Sequence, residues 1–142
     1  MQKERMNLYQ IHGLLQFIAF CILYPLGAGI ALFRDKIGIH WKTYHVLIQI
    51  IATMIVFIAI ATIIYASKTQ KKEKEEKKSF LVKLHTTLGP IVILVIVIQL
   101  FWAFFGKHFV SWDTWYTTHM MLSGCIILGG ITNVLLGMNM VA

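Results

Sequence analysis

The sequence predicts an all-α integral membrane protein, an antiparallel bundle of four transmembrane helices. Three observations carry this. The 142 residues are 58% hydrophobic and only 13% charged, far from the balance of a soluble domain. The charges are badly spread: none lies between Arg5 and Arg34, between Lys42 and Lys68, between Lys83 and Lys107, or after Asp113. Each gap exceeds the ~20 residues that cross a ~30 Å hydrocarbon core. The runs also lack the two-residue alternation of barrel strands. Their backbone groups must then pair within each segment, which makes them helices. By length, residues 1–142 form one domain.

A short polar start precedes a first helix at about 8–33. It carries His12-Gly13 early and Tyr24-Pro25-Leu26-Gly27 late. Proline removes a helix hydrogen bond, so a kink is expected near Pro25. Gly27, Ala28 and Gly29 make a thin stretch where a helix or a planar ligand can come close. After a short basic loop, the second helix spans about 41–67. It opens on Trp41-Lys42-Thr43-Tyr44-His45, with Gln49 one turn on. A charged linker at 68–78 holds alternating lysines and glutamates. It reads as a solvated connection or as a helical extension with Lys–Glu pairs, a partner's docking site being the alternative.

The third helix, about 80–105, has Ser79 as its expected cap. It carries His85, Gly89-Pro90 and Gln99. The fourth, about 114–136, is expected to start after Asp113 as cap. It carries His119, Gly124, Gly129-Gly130 and Asn133, and residues 137–142 are expected to fray. Helices 2 and 4 both begin Trp-x-x-x-His, a weak two-fold repeat.

The net charge of +7 does not point to nucleic acid, because the cations sit in short connections, the ordinary signature of membrane topology. Nine cations lie on the first-helix side and four on the other. That count favours both termini in the cytosol. Cys21 and Cys125 lie deep in apolar runs and are expected to be buried small hydrophobes. The first apolar run is too long for a cleavable signal peptide and no small-residue cleavage site follows it.

Each span has one histidine near its start. Short loops make neighbouring helices antiparallel, so His12 and His85 share one depth and His45 and His119 the opposite depth. One histidine near a helix end ordinarily snorkels or bonds a carbonyl. Four at matched positions, with Gly13, Gly89 and Gly124 nearby, ask for another reason. Ionisable groups in a bilayer are costly and face the bundle interior or a site. Neutral imidazole is the form that binds metal. Two imidazoles facing across a bundle core can hold a flat macrocycle with iron at its centre. With both axial positions filled, such a group carries electrons and does not readily bind oxygen. About 20 residues at ~1.5 Å rise put the two irons roughly 20–30 Å apart, less after tilt.

Other polar and aromatic residues carry two readings each. His40 and His108 lie in loops and read as solvated or interfacial. Gln16, Gln49, Gln99 and Asn133 read as interhelical hydrogen bonds, worth about 0.6–2 kcal/mol each, or as hydrogen-bond supports for the histidines. Trp41, Tyr44, Trp112, Trp115 and Tyr116 read first as a membrane belt, with packing on a cofactor edge second. Arg34, Lys36 and Lys42 surround the mouth of the His45/His119 site. They are either topology charges or contacts for haem propionates or an anionic reductant.

Taken as a set, the motifs resemble the cytochrome b561 family, particularly the core domain also found fused to DOMON modules. The matching residues are His12-Gly13, then Pro25-x-Gly27 followed by Ala31-x-x-Arg34. Trp41-x-x-x-His45-x-x-x-Gln49 and His85-x-x-x-Gly89 with Gln99 come next. Trp115-x-x-x-His119 and Gly130-x-x-Asn133-x-x-x-Gly137 complete the set. The resemblance covers nearly the whole chain, as the four-helix core of a family whose members commonly have six. It implies two b-type haems, with His12/His85 and His45/His119 as the axial iron ligands. It implies single-electron transfer across a membrane, often from cytosolic ascorbate to monodehydroascorbate or ferric iron.

The expected activity is that of an oxidoreductase-type electron carrier with no separate catalytic residue; an ascorbate-dependent or ferric reductase is the enzymatic form of that reading. Expected partners are membrane lipid, a small-molecule reductant or redox protein, and a second copy or a larger membrane complex, with no nucleic acid. The family would turn the His45/His119 site to the cytosol, against the charge count, so sidedness stays open. A different reading is a membrane anchor or accessory subunit of a larger respiratory or redox complex, with or without haem.

Overall fold

The computed structural model describes residues 7–69 and 80–141. It is helical throughout its spans, and no strand occurs among the described residues. The first span joins α1 (Leu8–Phe17), a π-helical turn (Ile18–Leu23) and α2 (Tyr24–Leu32). A short α3 (Arg34–Ile37) leads to α4 (Trp41–Thr69). Then come α5 (Phe80–Phe105), a 3₁₀ turn (Gly106–His108) and α6 (Trp112–Val141). Four helices, Leu8–Leu32, Trp41–Thr69, Phe80–His108 and Trp112–Met140, are long and apolar enough to cross a membrane. Most of the charged linker, from residue 70, lies outside the described residues. So do Ser79 and the cations Lys3 and Arg5.

The helix ends follow side-chain chemistry. Asn7 caps α1 in a reciprocal box: its side chain accepts the Gln10 N–H at 2.9 Å, and Gln10 Oε1 accepts the Asn7 N–H at 3.0 Å. The fourth span departs from expectation at both ends. Ser111, not Asp113, occupies the cap position. Its Oγ accepts the Thr114 N–H at 3.3 Å and its carbonyl the Trp115 N–H at 2.9 Å. Asp113 falls inside the first turn, where its charge meets the positive helix end. At the other end α6 continues through Gly137 to Val141, where fraying was expected. Helix is the only local way to pair those backbone groups in an apolar medium.

Pro25 takes effect as a change of helical winding. The π-helical turn ends immediately before α2, and the Tyr24 N–H bonds back five residues to the Ala19 carbonyl. Proline lacks an N–H and crowds the carbonyl one turn earlier. Widening the preceding turn relieves that crowding without opening the helix to lipid. Gly38, at φ +87°, closes the connection between α3 and α4, a conformation that side-chain-bearing residues rarely adopt.

The first span packs against α4 and α6, and α5 packs chiefly along α6. Neither α1 with α5 nor α4 with α6 is a closely packed pair. The core cluster consists of Ala19, Phe20, Tyr24, Ala52, Val56, Val92, Ile96, Ile126 and Val134. Most of these sit at mid-span. Phe20 fills the notch left by Gly130, and Tyr24 stacks on it at 5.3 Å. The Tyr24 hydroxyl bonds Thr53 Oγ1 at 2.9 Å, which donates on to the Gln49 carbonyl. The expected burial of both cysteines does not hold: Cys21 is half-buried and Cys125 is exposed on the outer face of α6. A small apolar side chain faces lipid at no cost, so the apolar run did not decide which way Cys125 turns.

Candidate functional site

The four span histidines meet in two pairs. His12 on α1 and His85 on α5 face each other with ring centres 6.5 Å apart and planes at 89°. His45 on α4 and His119 on α6 face each other at 6.2 Å and 67°. These are the helix pairs that do not pack closely, so each ring pair bridges a gap between separated backbones. All four rings are half-buried. Two imidazoles bound through Nε2 to one metal at about 2 Å each, on opposite sides, put their ring centres roughly 6 Å apart.

Hydrogen bonds fix the rings and their protonation. His12 Nδ1 donates to the Ala59 carbonyl at 2.8 Å. His45 Nδ1 donates to the Gly27 carbonyl at 2.7 Å. His85 Nδ1 donates to the Asn133 carbonyl at 2.9 Å. A carbonyl can only accept, so the proton is on Nδ1 and the neutral ring has its lone pair on Nε2. That is the tautomer a metal needs, held by the kind of backbone contact usual for metal-binding histidine. The partner carbonyls also set the spacing. Ala59 follows His45, and Asn133 follows His119, by fourteen residues. At ~1.5 Å per residue the two ring levels are about 21 Å apart along the helices.

His119 is held differently. Its Nδ1 lies 2.9 Å from Gln99 Nε2, which also lies 3.1 Å from the His119 carbonyl and 2.8 Å from Ser123 Oγ. Trp115 stacks on the ring at 5.1 Å and 14°. Trp115 is locked in turn: its Nε1 donates to the Trp102 carbonyl at 2.9 Å, and Trp102 Nε1 donates to the Trp115 carbonyl at 3.2 Å. Trp102 and Ser123 were missed in the sequence. Trp102 stands three residues after Gln99 and Ser123 four after His119, so helical spacing put both beside the site, but neither type marks a ligand. Trp115 was expected as part of a membrane belt or against a cofactor edge; its stack on the His119 ring is a contact neither reading named.

Small residues divide into two kinds. Gly137 makes room for His85, since an added Cβ would lie 3.0 Å from its Cε1; Gly89 does the same for Asn133 and Gly27 for Gln49. Gly13 and Gly124, each half-buried near a pair, have nothing within 4 Å of an added Cβ. The Gln16, Gln49, Gln99 and Asn133 side-chain oxygens are buried without a partner. Gln16 and Gln49 stand one turn after His12 and His45, and Asn133 bears the carbonyl that holds His85. The polar atoms therefore gather at the two ring levels, while the tightly packed apolar core lies largely between them.

The remaining candidates sit at the surface. Arg34, Lys36 and Lys42 are exposed at the His45 end. Lys36 Nζ lies 5.7 Å over the Phe33 ring, and Lys42 lines an outward hollow with Thr43, Val46, Leu47 and Ile50. Among the described residues none of the three hydrogen-bonds to His45 or His119. His40 and His108 are exposed.

No cluster of three or more histidine, cysteine or acidic side chains able to hold a metal occurs among the described residues. A metal between a ring pair thus has two protein ligands and needs its other ligands from a group such as a macrocycle. The Nε2 lone pairs of His12, His85 and His45, a gap between unpacked helices and open space beside Gly13 and Gly124 suit such a group. A family model described as eukaryotic cytochrome b561 matches residues 11–142. No curated protein and no solved structure matches the chain.

Proposed function

The chain belongs to the eukaryotic cytochrome b561 family, and from that premise we propose that it carries single electrons between two bis-histidine haem b sites near opposite membrane faces. Family membership makes it a multi-pass transmembrane cytochrome of a haem b-binding, electron-carrying family. The finer reading rests on one observation. At two levels about 21 Å apart, imidazoles from unpacked helices face each other at 6.5 and 6.2 Å.

In this reading His12 and His85 hold one haem, and His45 and His119 the other. A bound haem supplies reversible one-electron oxidation and reduction of its iron. The protein's residues do the rest. The Ala59, Gly27 and Asn133 carbonyls keep three rings in the ligating tautomer. The apolar belt of Val56, Val92 and Ile96 keeps water out between the two levels. Arg34, Lys36 and Lys42 give the His45 end a cationic rim that concentrates an anionic reductant such as ascorbate. Monodehydroascorbate or ferric iron is the acceptor class.

The test is a reduced-minus-oxidised spectrum with haem counted per chain. Two haems are expected, with His45→Ala and His12→Ala each removing a different one. One haem in the wild type, or loss of neither in these variants, refutes the two-site reading. Adding ascorbate outside oriented vesicles that trap ferricyanide then tests the direction and donor.

A further inference from the structure

Three of the four rings are held by main-chain carbonyls, which no substitution of those residues removes. Only His119 has a replaceable partner, Gln99. Gln99 Nε2 has three neighbours, His119 Nδ1, the His119 carbonyl and Ser123 Oγ, while Oε1 is buried and bonded to nothing. An amide nitrogen has two hydrogens and accepts none. If it donates to His119 Nδ1, the ring proton must sit on Nε2, and that nitrogen cannot bind iron. If it donates to the other two, a protonated Nδ1 faces an N–H group.

The ring decides between the amide's two orientations. His119 as an iron ligand carries its proton on Nδ1 and needs an acceptor there. Turning the amide about its last bond exchanges oxygen and nitrogen, which fill nearly the same volume. Turned, Oε1 accepts from the ring and meets the Ser123 hydroxyl, which now donates to the His119 carbonyl and would swing to the amide; the 3.1 Å approach of Oε1 to that carbonyl oxygen is the cost. Either orientation leaves one amide atom without a protein partner, and only the turned one gives the ring proton an acceptor. Trp115, stacked at 14° and tied to Trp102, holds the ring plane; a half-turn within that plane would exchange Nδ1 with Cδ2 but also Nε2 with Cε1, and so give up the ligating nitrogen.

We infer that Gln99 is a positioning residue that accepts the His119 Nδ1 proton through Oε1 and thereby sets the reduction potential of the haem at the His45/His119 site. This rests on the two-site reading. A better acceptor gives the imidazole more electron density and favours ferric iron; removing the acceptor favours ferrous iron. The His12/His85 site, bonded to carbonyls on both rings, is unaffected.

The experiment is a potentiometric titration of both haems in the full chain, with haem counted, for Gln99→Glu and Gln99→Leu. Gln99→Glu is expected to lower one midpoint and Gln99→Leu to raise the same one. Each shift is about tenfold in the ferric-to-ferrous ratio, or 59 mV for one electron. The shifted component must be the one that His45→Ala deletes. Should Gln99→Leu lose that haem, Gln99→Met replaces it, keeping the length without an amide oxygen. Shifts of one sign in both variants, a shift in the other haem, or no shift overturns the inference. Loss of the His45-dependent haem in all three variants does so too, since Gln99 is then structural. Failure of the two-site reading shows separately, in the haem count and the histidine variants.

Discussion

His85 sits where the facing helix has no side chain. An added Cβ at Gly137 would stand 3.0 Å from the ring's Cε1 and 3.3 Å from its Nδ1, tighter than ordinary contact. On the two-haem reading proposed above, Gly137→Leu is therefore expected to displace the ring and release the haem held by His12 and His85 while sparing the other. Haem per chain falls from two toward one; Gly137→Ala gives a partial loss. Gly29 is the control: an added Cβ there meets nothing within 4 Å. Gly29→Ala is expected to keep both haems and to be neutral or up to ~1 kcal/mol more stable, from helix propensity alone. Calorimetry or thermal unfolding in detergent reads the second effect. At this scale the histidines were legible because an ionisable side chain in an apolar run is rare. Ser123 and Trp102 were not, because serine and tryptophan are ordinary in spans and only the partner helix gives them a role.

The first span is an element shaped by one residue it carries late. Pro25 widens the turn before it, and Phe20 and Tyr24 leave that turn buried and stacked. Phe20 enters the notch at Gly130, so these two residues couple the first span to α6. Phe20→Ala is expected to cost about 3–5 kcal/mol, the usual range for emptying an aromatic core site. Tyr24→Phe is expected to cost about 1 kcal/mol, the net worth of one hydrogen bond. The rank order is checked by unfolding each variant in the same detergent; a Tyr24→Phe loss as large as that of Phe20→Ala would contradict it. A kink was expected from proline; what the chain shows there is a π turn, and the choice between an opened bend and a π turn depends on what packs alongside. Capping side chains placed the starts of the first and last spans, Asn7 at one and Ser111 at the other, whose Oγ meets the Thr114 N–H and hydroxyl.

Across the whole molecule, tight packing and polar groups are separated. The buried apolar cluster lies mostly at mid-span, and the half-buried histidine rings and unpartnered amide oxygens lie toward either end. A bundle made this way leans on what fills its two gaps. Protein made without haem is expected to unfold at lower temperature than the loaded form. At a free haem concentration of 1,000 Kd the difference reaches about 4 kcal/mol, and melting of matched preparations measures it. Equal melting temperatures would mean that the rings stand in place without a ligand's help.

The sequence alone determined four spans, their antiparallel order and the depth of each histidine. Charge gaps, loop lengths and residue numbers along a helix are one-dimensional, and a bilayer turns them directly into depth. Only the tertiary structure decided which helices stand apart and which carbonyl each Nδ1 meets. It also decided that Trp115 lies against His119 and that Cys125 faces outward. Those depend on the rotation of each helix about its own axis. Apolar side chains suit lipid and protein interior alike, so an apolar run does not set that rotation, and close packing of small and large residues across the bundle does.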